Sequence, residues 1–230
     1  VAEENAISFH TKVAADFDRQ YAHNNSFLER YAVWTEIINK YSSKHFRVLD
    51  VGCGPGIFSF YLSERNECVV GIDASPEMIK MCQEKQKKLG VKNTEFLICN
   101  IDSLPSVLTK KYNMIICSSV LEYLDDLQES LKLISTFLTQ DGLFIFSMPN
   151  KLSIYRNILP IIYRIVRRPK YYRYVKNICT LKKAEVLLNT LGLKILESDY
   201  FAKTPFLSMV FRRIGFSRYS DNLFIIVSHL

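Results

Sequence analysis

The stretch Val48-Leu49-Asp50-Val51-Gly52-Cys53-Gly54-Pro55-Gly56 carries an apolar, strand-like run, Arg47–Val51, straight into a turn with three glycines. Glycine lets a chain reverse sharply and bring its backbone against a ligand where a Cβ would collide. A helix-like stretch, Phe58–Arg65, follows, and a helix presents free N–H groups at its start. The spacing is G-x-G-x-G. Residue 57 is Ile, so the last glycine of the dinucleotide pattern G-x-G-x-x-G is absent.

Working outward, short apolar runs alternate with amphipathic stretches. Strands are expected at Cys68–Ile72, Thr94–Cys99, Tyr112–Ser118 and Leu143–Met148, and helices at Pro76–Leu89 and Asp126–Leu138. Ser75-Pro76-Glu77 supplies a cap, a proline at the first helical position and an acid in the first turn, and Gly90 supplies a stop. Asp141-Gly142 reads as a tight turn feeding the fifth strand. Strands separated by helix-length connections mean a parallel sheet covered on both faces. Beyond residue 150, Leu181–Leu191 reads as a helix, and Lys194–Phe201 and Leu223–Ser228 as strands separated by a long irregular excursion. Residues 1–45 read as one or two helices, with Phe17, Tyr21, Leu28, Tyr31 and Trp34 as packing residues.

At 230 residues, 48% apolar and 23% charged, the chain suits one globular α/β domain and not a disordered or fibrous one. No apolar run approaches the roughly 18 residues of a membrane span, and VAEENAISFH has no signal-peptide pattern. Cys53, Cys68, Cys82, Cys99, Cys117 and Cys179 form no CxxC pair and no metal-ligand spacing. They read as reduced thiols of a cytoplasmic protein, and no metal is expected. The net charge of +7 concentrates in residues 151–178, which hold eight basic residues and no acidic one.

Asp73 closes the second strand, 21 residues after Gly52, where a carboxylate can accept both hydroxyls of a ribose. With VVGIDASPEMI, NIDSLP, SSVLEYL and DGLFIFSMPN following the glycine loop in order, residues 46–150 resemble the core of a class I S-adenosylmethionine-dependent methyltransferase. The similarity is to the small-molecule branch that includes the ubiquinone-biosynthesis O-methyltransferases.

The resemblance implies a Rossmann-like, seven-stranded, mostly parallel sheet with an antiparallel last strand and helices on both faces. It implies one domain, with residues 1–45 as a helical cap, 46–150 as the cofactor-binding core, 151–180 as a basic lid or insert and 181–230 as the C-terminal part of the sheet. It also implies S-adenosylmethionine as cofactor. Gly52, Cys53, Gly54 and Gly56 would approach its methionine part, with Asp50 tying that loop, and Asp73 would hold the ribose. Ala74 and Met78 would pack on adenine, Asn100 would accept the adenine amino group and the Ile101 N–H would serve a ring nitrogen. Ser118 and Ser119 would lie beneath the methyl group, and Arg30 would pair with the methionine carboxylate. The family usually has an acid at position 100 and often a His where this chain has Tyr123.

Methyl transfer from a sulfonium needs alignment, and needs a base only where the acceptor atom is protonated. His10, His23 and Tyr21 are the base or lid residues that the N-terminal segment offers. In residues 154–174, Pro160 can start a helix with Ile161, Ile162, Ile165 and Val166 opposite Arg164, Arg167 and Arg168. That pattern suits a lid over the acceptor, a peripheral membrane contact, or an acidic or lipid-like small-molecule acceptor. Nucleic acid is disfavoured as a partner: CSSVLEY lacks the Asn/Asp-Pro-Pro-aromatic tetrad used on flipped amino bases. An RNA or DNA methyltransferase, an inactive cofactor-binding paralogue and a nicotinamide-dependent oxidoreductase are the alternatives to transfer onto a small-molecule oxygen or nitrogen.

Overall fold

The computed structural model describes residues 5–204 and 207–230, and of residues 15, 17, 18 and 22 the backbone alone. The packing role expected of Phe17 therefore lies outside the described residues. Three helices precede the sheet where one or two were expected: α1 (Ala6–Lys12), α2 (Ala14–His23) and α3 (Asn25–Tyr41). The additional break comes from Asn24, whose side chain accepts from the Ser26 N–H at 2.9 Å and starts α3 as α2 ends. Trp34, Ile37 and Ile38 bury one face of α3. Leu28, expected to pack, is 43% exposed: six residues before Trp34, it lies roughly 120° around the helix from it. Tyr31 is half-exposed and stacks on Phe58.

The core runs β1 (Arg47–Val51), α4 (Ile57–Ser63), β2 (Cys68–Asp73), α5 (Pro76–Leu89), β3 (Thr94–Ile98), α6 (Leu104–Val107), β4 (Tyr112–Cys117), α7 (Leu127–Ser135) and β5 (Leu138–Pro149). Then come α8 (Ile154–Val166), α9 (Leu181–Thr190), β6 (Lys194–Phe201), α10 (Leu207–Arg213), α11 (Ser217–Ser220) and β7 (Leu223–His229). Short 3-10 turns sit at Ile101–Ser103, Leu121–Tyr123 and Lys170–Tyr174. The strands form one sheet in the order β3-β2-β1-β4-β5-β7-β6. β1 to β5 pair in parallel, and β7 is antiparallel to both β5 and β6. This is the Rossmann-like architecture. Its strand order reverses between β1 and β4, and open α/β sheets bind ligands at the carboxyl ends of strands flanking such a point.

Alternation along β1 shows why the strands read as unbroken apolar runs. Val48 packs with Trp34 and Phe58 on one face, and Leu49 packs with Ile115 and Phe144 on the other. Each such side chain, fully buried, contributes about 1.5–3 kcal/mol relative to exposure. Five of the six cysteines are buried and Cys68 is partly so; all are free thiols.

Most ends fall within two residues of expectation, and the larger differences lie at the end of α7, the start of β5 and the start of α8. α7 stops at Ser135 because Leu138 already pairs with Tyr112 as the start of β5. The Asp141-Gly142 turn falls inside that strand as an irregularity, where the β4–β5 register shifts and a Cβ on Gly142 would lie 3.0 Å from Leu138 Cβ. α8 starts at Ser153, whose hydroxyl caps it, so Pro160 stands within the helix and not at its start.

The excursion before β7 is also more ordered than it reads, holding α10 and α11. Residues 202–220 contain four basic residues and no acidic one, so the basic charge is not confined to 151–178. α11 packs against α8, which brings the two acid-free segments together.

Candidate functional site

The glycine turn lies at the carboxyl end of β1. Gly52 takes a φ of +69°, and a Cβ there would sit 2.2 Å from Val120, in the loop that follows β4. Gly54, with φ +52°, has open space where its Cβ would be. The turn is held from β2: Cys53 N–H donates to Ile72 O at 2.9 Å and Gly54 N–H to Asp73 Oδ2 at 3.0 Å. Asp73 Oδ1 accepts from the Ser75 N–H at 2.8 Å, so one carboxylate fixes the glycine loop and the entry to α5 together. Each of its oxygens keeps a second lone pair for a ligand. Burial pushes the Asp73 pKa up, and the bonds from Ser75 and Gly54 oppose that. Asp50 is buried, accepts from Ser59 Oγ at 2.6 Å and so ties β1 to α4. Desolvation pushes its pKa up to about 7.

These groups open on a cavity of about 1240 Å³ that also reaches Ala74, Met78, Asn100, Ile101 and Ser118. Met78 is 3% exposed and Ala74 partly buried, giving an apolar patch beside Asp73. The Ile101 N–H donates to Asn100 Oδ1 at 2.8 Å. Ser118 Oγ and Ser119 Oγ are buried with no hydrogen-bond partner among the described residues.

The N-terminal helices cross the cavity mouth. Thr11 Oγ1 donates to Ser75 Oγ at 2.8 Å, while Phe9 packs on Tyr174 and His10 on Tyr123, with ring centroids 5.2 Å and 5.0 Å apart. Burial, reinforced by the Arg30 charge, lowers the His10 pKa to about 4, so its imidazole is neutral at pH 7. Tyr21 lines the cavity, packs edge-on against Phe27 and Phe58, and accepts a hydrogen bond from Arg30, another lining residue. Burial raises its pKa, which keeps the phenol protonated. His23 is not brought to this site. It is exposed at the end of α2 among Asp16, Arg19, Gln20 and Asn24, two residues and hence about 200° around the helix from Tyr21.

A second region of the cavity wall, formed by the turn after β4 and the first turn of α8, contains residues outside the expected site set. Glu122, in the 3-10 turn after β4, is 4% exposed and its Oε2 has no hydrogen-bond partner among the described residues. Desolvation pushes its pKa up to about 7, opposed by the charges of Arg30 and Arg156. Arg156, in the first turn of α8, is 9% exposed; its Nε donates to Asn222 O at 3.3 Å and its Nη1 has no partner among the described residues. Tyr155 and Tyr171 line the same end. By contrast, Ile158, Ile161, Ile165 and Val166 of α8 are 46%, 61%, 79% and 57% exposed. Four apolar residues of α8 therefore meet solvent while Leu159 is buried, and of this helix Tyr155 and Arg156 in the first turn line the cavity.

Fold and site together define an open α/β domain with a glycine-loop ligand site. Residues 42–196 match the family described as a methyltransferase domain, and the chain belongs to that family. It is 30% identical over 98 residues to the "Probable (S)-tetrahydroprotoberberine N-methyltransferase 2" of Papaver bracteatum, a match covering 42% of this chain and 27% of that one. It is 29% identical over 105 residues to the ubiquinone biosynthesis O-methyltransferase of Pseudomonas fluorescens, covering 46% of this chain and 45% of the relative. The chain thus spans less than half the length of these curated relatives. In structure it is similar to the N-methyltransferase NodS of Bradyrhizobium japonicum, solved with S-adenosyl-L-homocysteine, at a TM-score of 0.69, 15% identity and 98% coverage of both chains. That likeness is one of fold.

Proposed function

We propose that this chain binds S-adenosylmethionine at the Gly52–Asp73 end of the cavity and transfers its methyl group to an oxygen or nitrogen of a small molecule held at the other end. The observation that carries the reading is the Asp73 carboxylate bonded to the Gly54 N–H beside an open, Cβ-free face of the turn. That cradle fits a ligand with a ribose and a flexible amino-acid end. Two ribose hydroxyls on a charged acceptor contribute about 1.5–3 kcal/mol each. Met78 and Ala74 suit an adenine ring. Asn100 Oδ1 already accepts from the Ile101 N–H and keeps a second lone pair for the adenine amino group.

When bound, the cofactor supplies an activated methyl that an acceptor atom takes by direct displacement, the methyl–sulfur electron pair leaving on sulfur. The chain's part is to align the acceptor and exclude water. α1 supports that role by bridging from Ser75 to Tyr174 across the mouth. His10, neutral and lining the cavity, serves there as an uncharged lid residue; Tyr21 and Arg30 are bonded to one another in the same wall. The O- and N-methyltransferase names among the relatives support a small acceptor.

Transfer of a radiolabelled methyl group into a fractionated cell extract tests this reading. Label in small organic or aqueous molecules is expected; label only in nuclease-sensitive material overturns it.

The outward-facing isoleucines of α8 favour a second role, peripheral contact with an anionic membrane. Arg164, Arg167 and Arg168 accompany them, and exposed Met209 and Ile214 belong to the neighbouring acid-free segment. No helix among the described residues is long and apolar enough to cross a membrane. Flotation with phosphatidylglycerol vesicles and not with phosphatidylcholine vesicles is the expected result; equal recovery with both contradicts it.

A further inference from the structure

Glu122 and Arg156 are both more than nine-tenths buried, both line the cavity, and each keeps a polar atom without a partner among the described residues. They are brought together by the sheet. β4 and β5 are neighbours and parallel, so the turn after β4 that carries Glu122 and the helix after β5 that carries Arg156 rise from the same edge. Buried polar groups are almost always satisfied, and a buried charged group left unpaired is costly. Two unmet groups in one cavity wall therefore point to a ligand that meets both.

The Arg156 side chain and the main chain of the Glu122 turn are both held in place. Asn222 O accepts from Arg156 Nε; Asn222 is itself fixed by Ser153 Oγ at 2.8 Å, Ala202 O at 2.9 Å and Thr204 Oγ1 at 3.1 Å. The Glu122 turn is clamped by the segment after the third 3-10 turn. Lys176 and Asn177 N–H groups donate to Glu122 O at 2.7 and 3.0 Å, and Asn177 Nδ2 donates to Leu121 O and Leu124 O. Orientation of this kind keeps a side chain from collapsing onto its neighbour, and the two form no ion pair within 4 Å. The phenols of Tyr123 and Tyr155, their pKa values raised by burial, give the wall neutral aromatic surface.

We propose that the methyl acceptor is a small aromatic molecule with an anionic group, carboxylate or phosphate, that Arg156 Nη1 binds, and an O–H or N–H that donates to Glu122 Oε2. This rests on the cofactor reading above and names the acceptor chemistry of that same site. The guanidinium recognises carboxylate and phosphate oxygens by directed hydrogen bonds, whereas a carboxyl oxygen selects the proton-bearing end. Each group thereby fixes one end of the acceptor.

Calorimetry on the protein saturated with S-adenosylhomocysteine tests this, using para-hydroxyphenylacetate and para-aminophenylacetate as probes, each against its methyl ester. At least one acid should bind about tenfold or more tightly than its ester. Arg156→Gln should bring that ratio to near unity while S-adenosylhomocysteine affinity and the melting temperature stay close to wild type. Arg156→Lys, which keeps the charge if the glutamine variant folds poorly, should retain part of the preference. Glu122→Gln should weaken the acid and its ester alike. Binding of neither acid, equal binding of acid and ester, or a preference that survives Arg156→Gln overturns the proposal. Failure of S-adenosylhomocysteine itself to bind removes the cofactor reading and this inference with it.

Discussion

At the Gly52–Asp73 end of the cavity the binding groups lie on a main-chain turn shaped by glycines and on the one carboxylate that holds it. At the Glu122–Arg156 end they are side chains, delivered by turns after two neighbouring strands and held by backbone carbonyls and an asparagine. The turn of the first arrangement is encoded in consecutive residues, with its carboxylate at the end of the next strand, and tolerates little change. The second depends on which strands lie side by side, so its chemistry can be altered one side chain at a time. A conserved donor and a variable acceptor would call for that division, and it explains why the two ends were so unequally visible in the sequence.

The comparison can be broken first at Asp73. Asp73→Ala removes the tether of Gly54 and the proposed acceptor of both ribose hydroxyls, so cofactor affinity should fall by about 3–6 kcal/mol, measured by calorimetry. A loss within fivefold would show that the ribose binds elsewhere. Next comes Asp50, which acts on stability. Its pKa rises from 3.8 unfolded to about 7 folded, so the folded state keeps a proton that the unfolded chain has lost. That contribution is complete below pH 4 and is lost as pH rises through 7. Asp50→Asn does not titrate. Wild type should therefore lose up to about 4 kcal/mol relative to the variant between pH 4 and pH 8 in denaturant melts of the apo protein. A difference independent of pH would contradict the burial account.

Gly52→Ala tests the backbone end through packing: the new Cβ meets Val120 at a positive φ, for about 1–3 kcal/mol of destabilisation in thermal melts. Asn100→Asp puts a charged acceptor at the proposed adenine contact, and should tighten cofactor binding by about 1 kcal/mol. Ile165→Ser, on the exposed face of α8, should leave stability within about 0.5 kcal/mol while reducing vesicle flotation.

Much of the sheet was legible because its strands are buried on both faces and bounded by glycine, proline and capping residues. β1, α5 and β6 begin and end where the pattern placed them, and Ser75, Pro76 and Gly90 do the capping expected of them. α8 began early because Ser153 outweighs Pro160: a proline inside an exposed helix forfeits one hydrogen bond, while a capping hydroxyl decides where the helix starts. His23 entered as a base candidate by residue type, and helical phase puts it on the wrong side of α2. Glu122 and Arg156 stand 34 residues apart, and only the adjacency of β4 and β5 joins them. A lone acid inside the apolar run VLEYL was the one local sign that Glu122 is buried for a reason.

The central claim is that the glycine-turn end of this cavity is built for S-adenosylmethionine and not for a dinucleotide. The direct measurement is a pair of calorimetric titrations of the wild-type protein, one with S-adenosylhomocysteine and one with nicotinamide adenine dinucleotide. A saturating heat at one site per chain for the first, and none for the second, is the predicted result. Saturable binding of the dinucleotide with no heat from S-adenosylhomocysteine would contradict it.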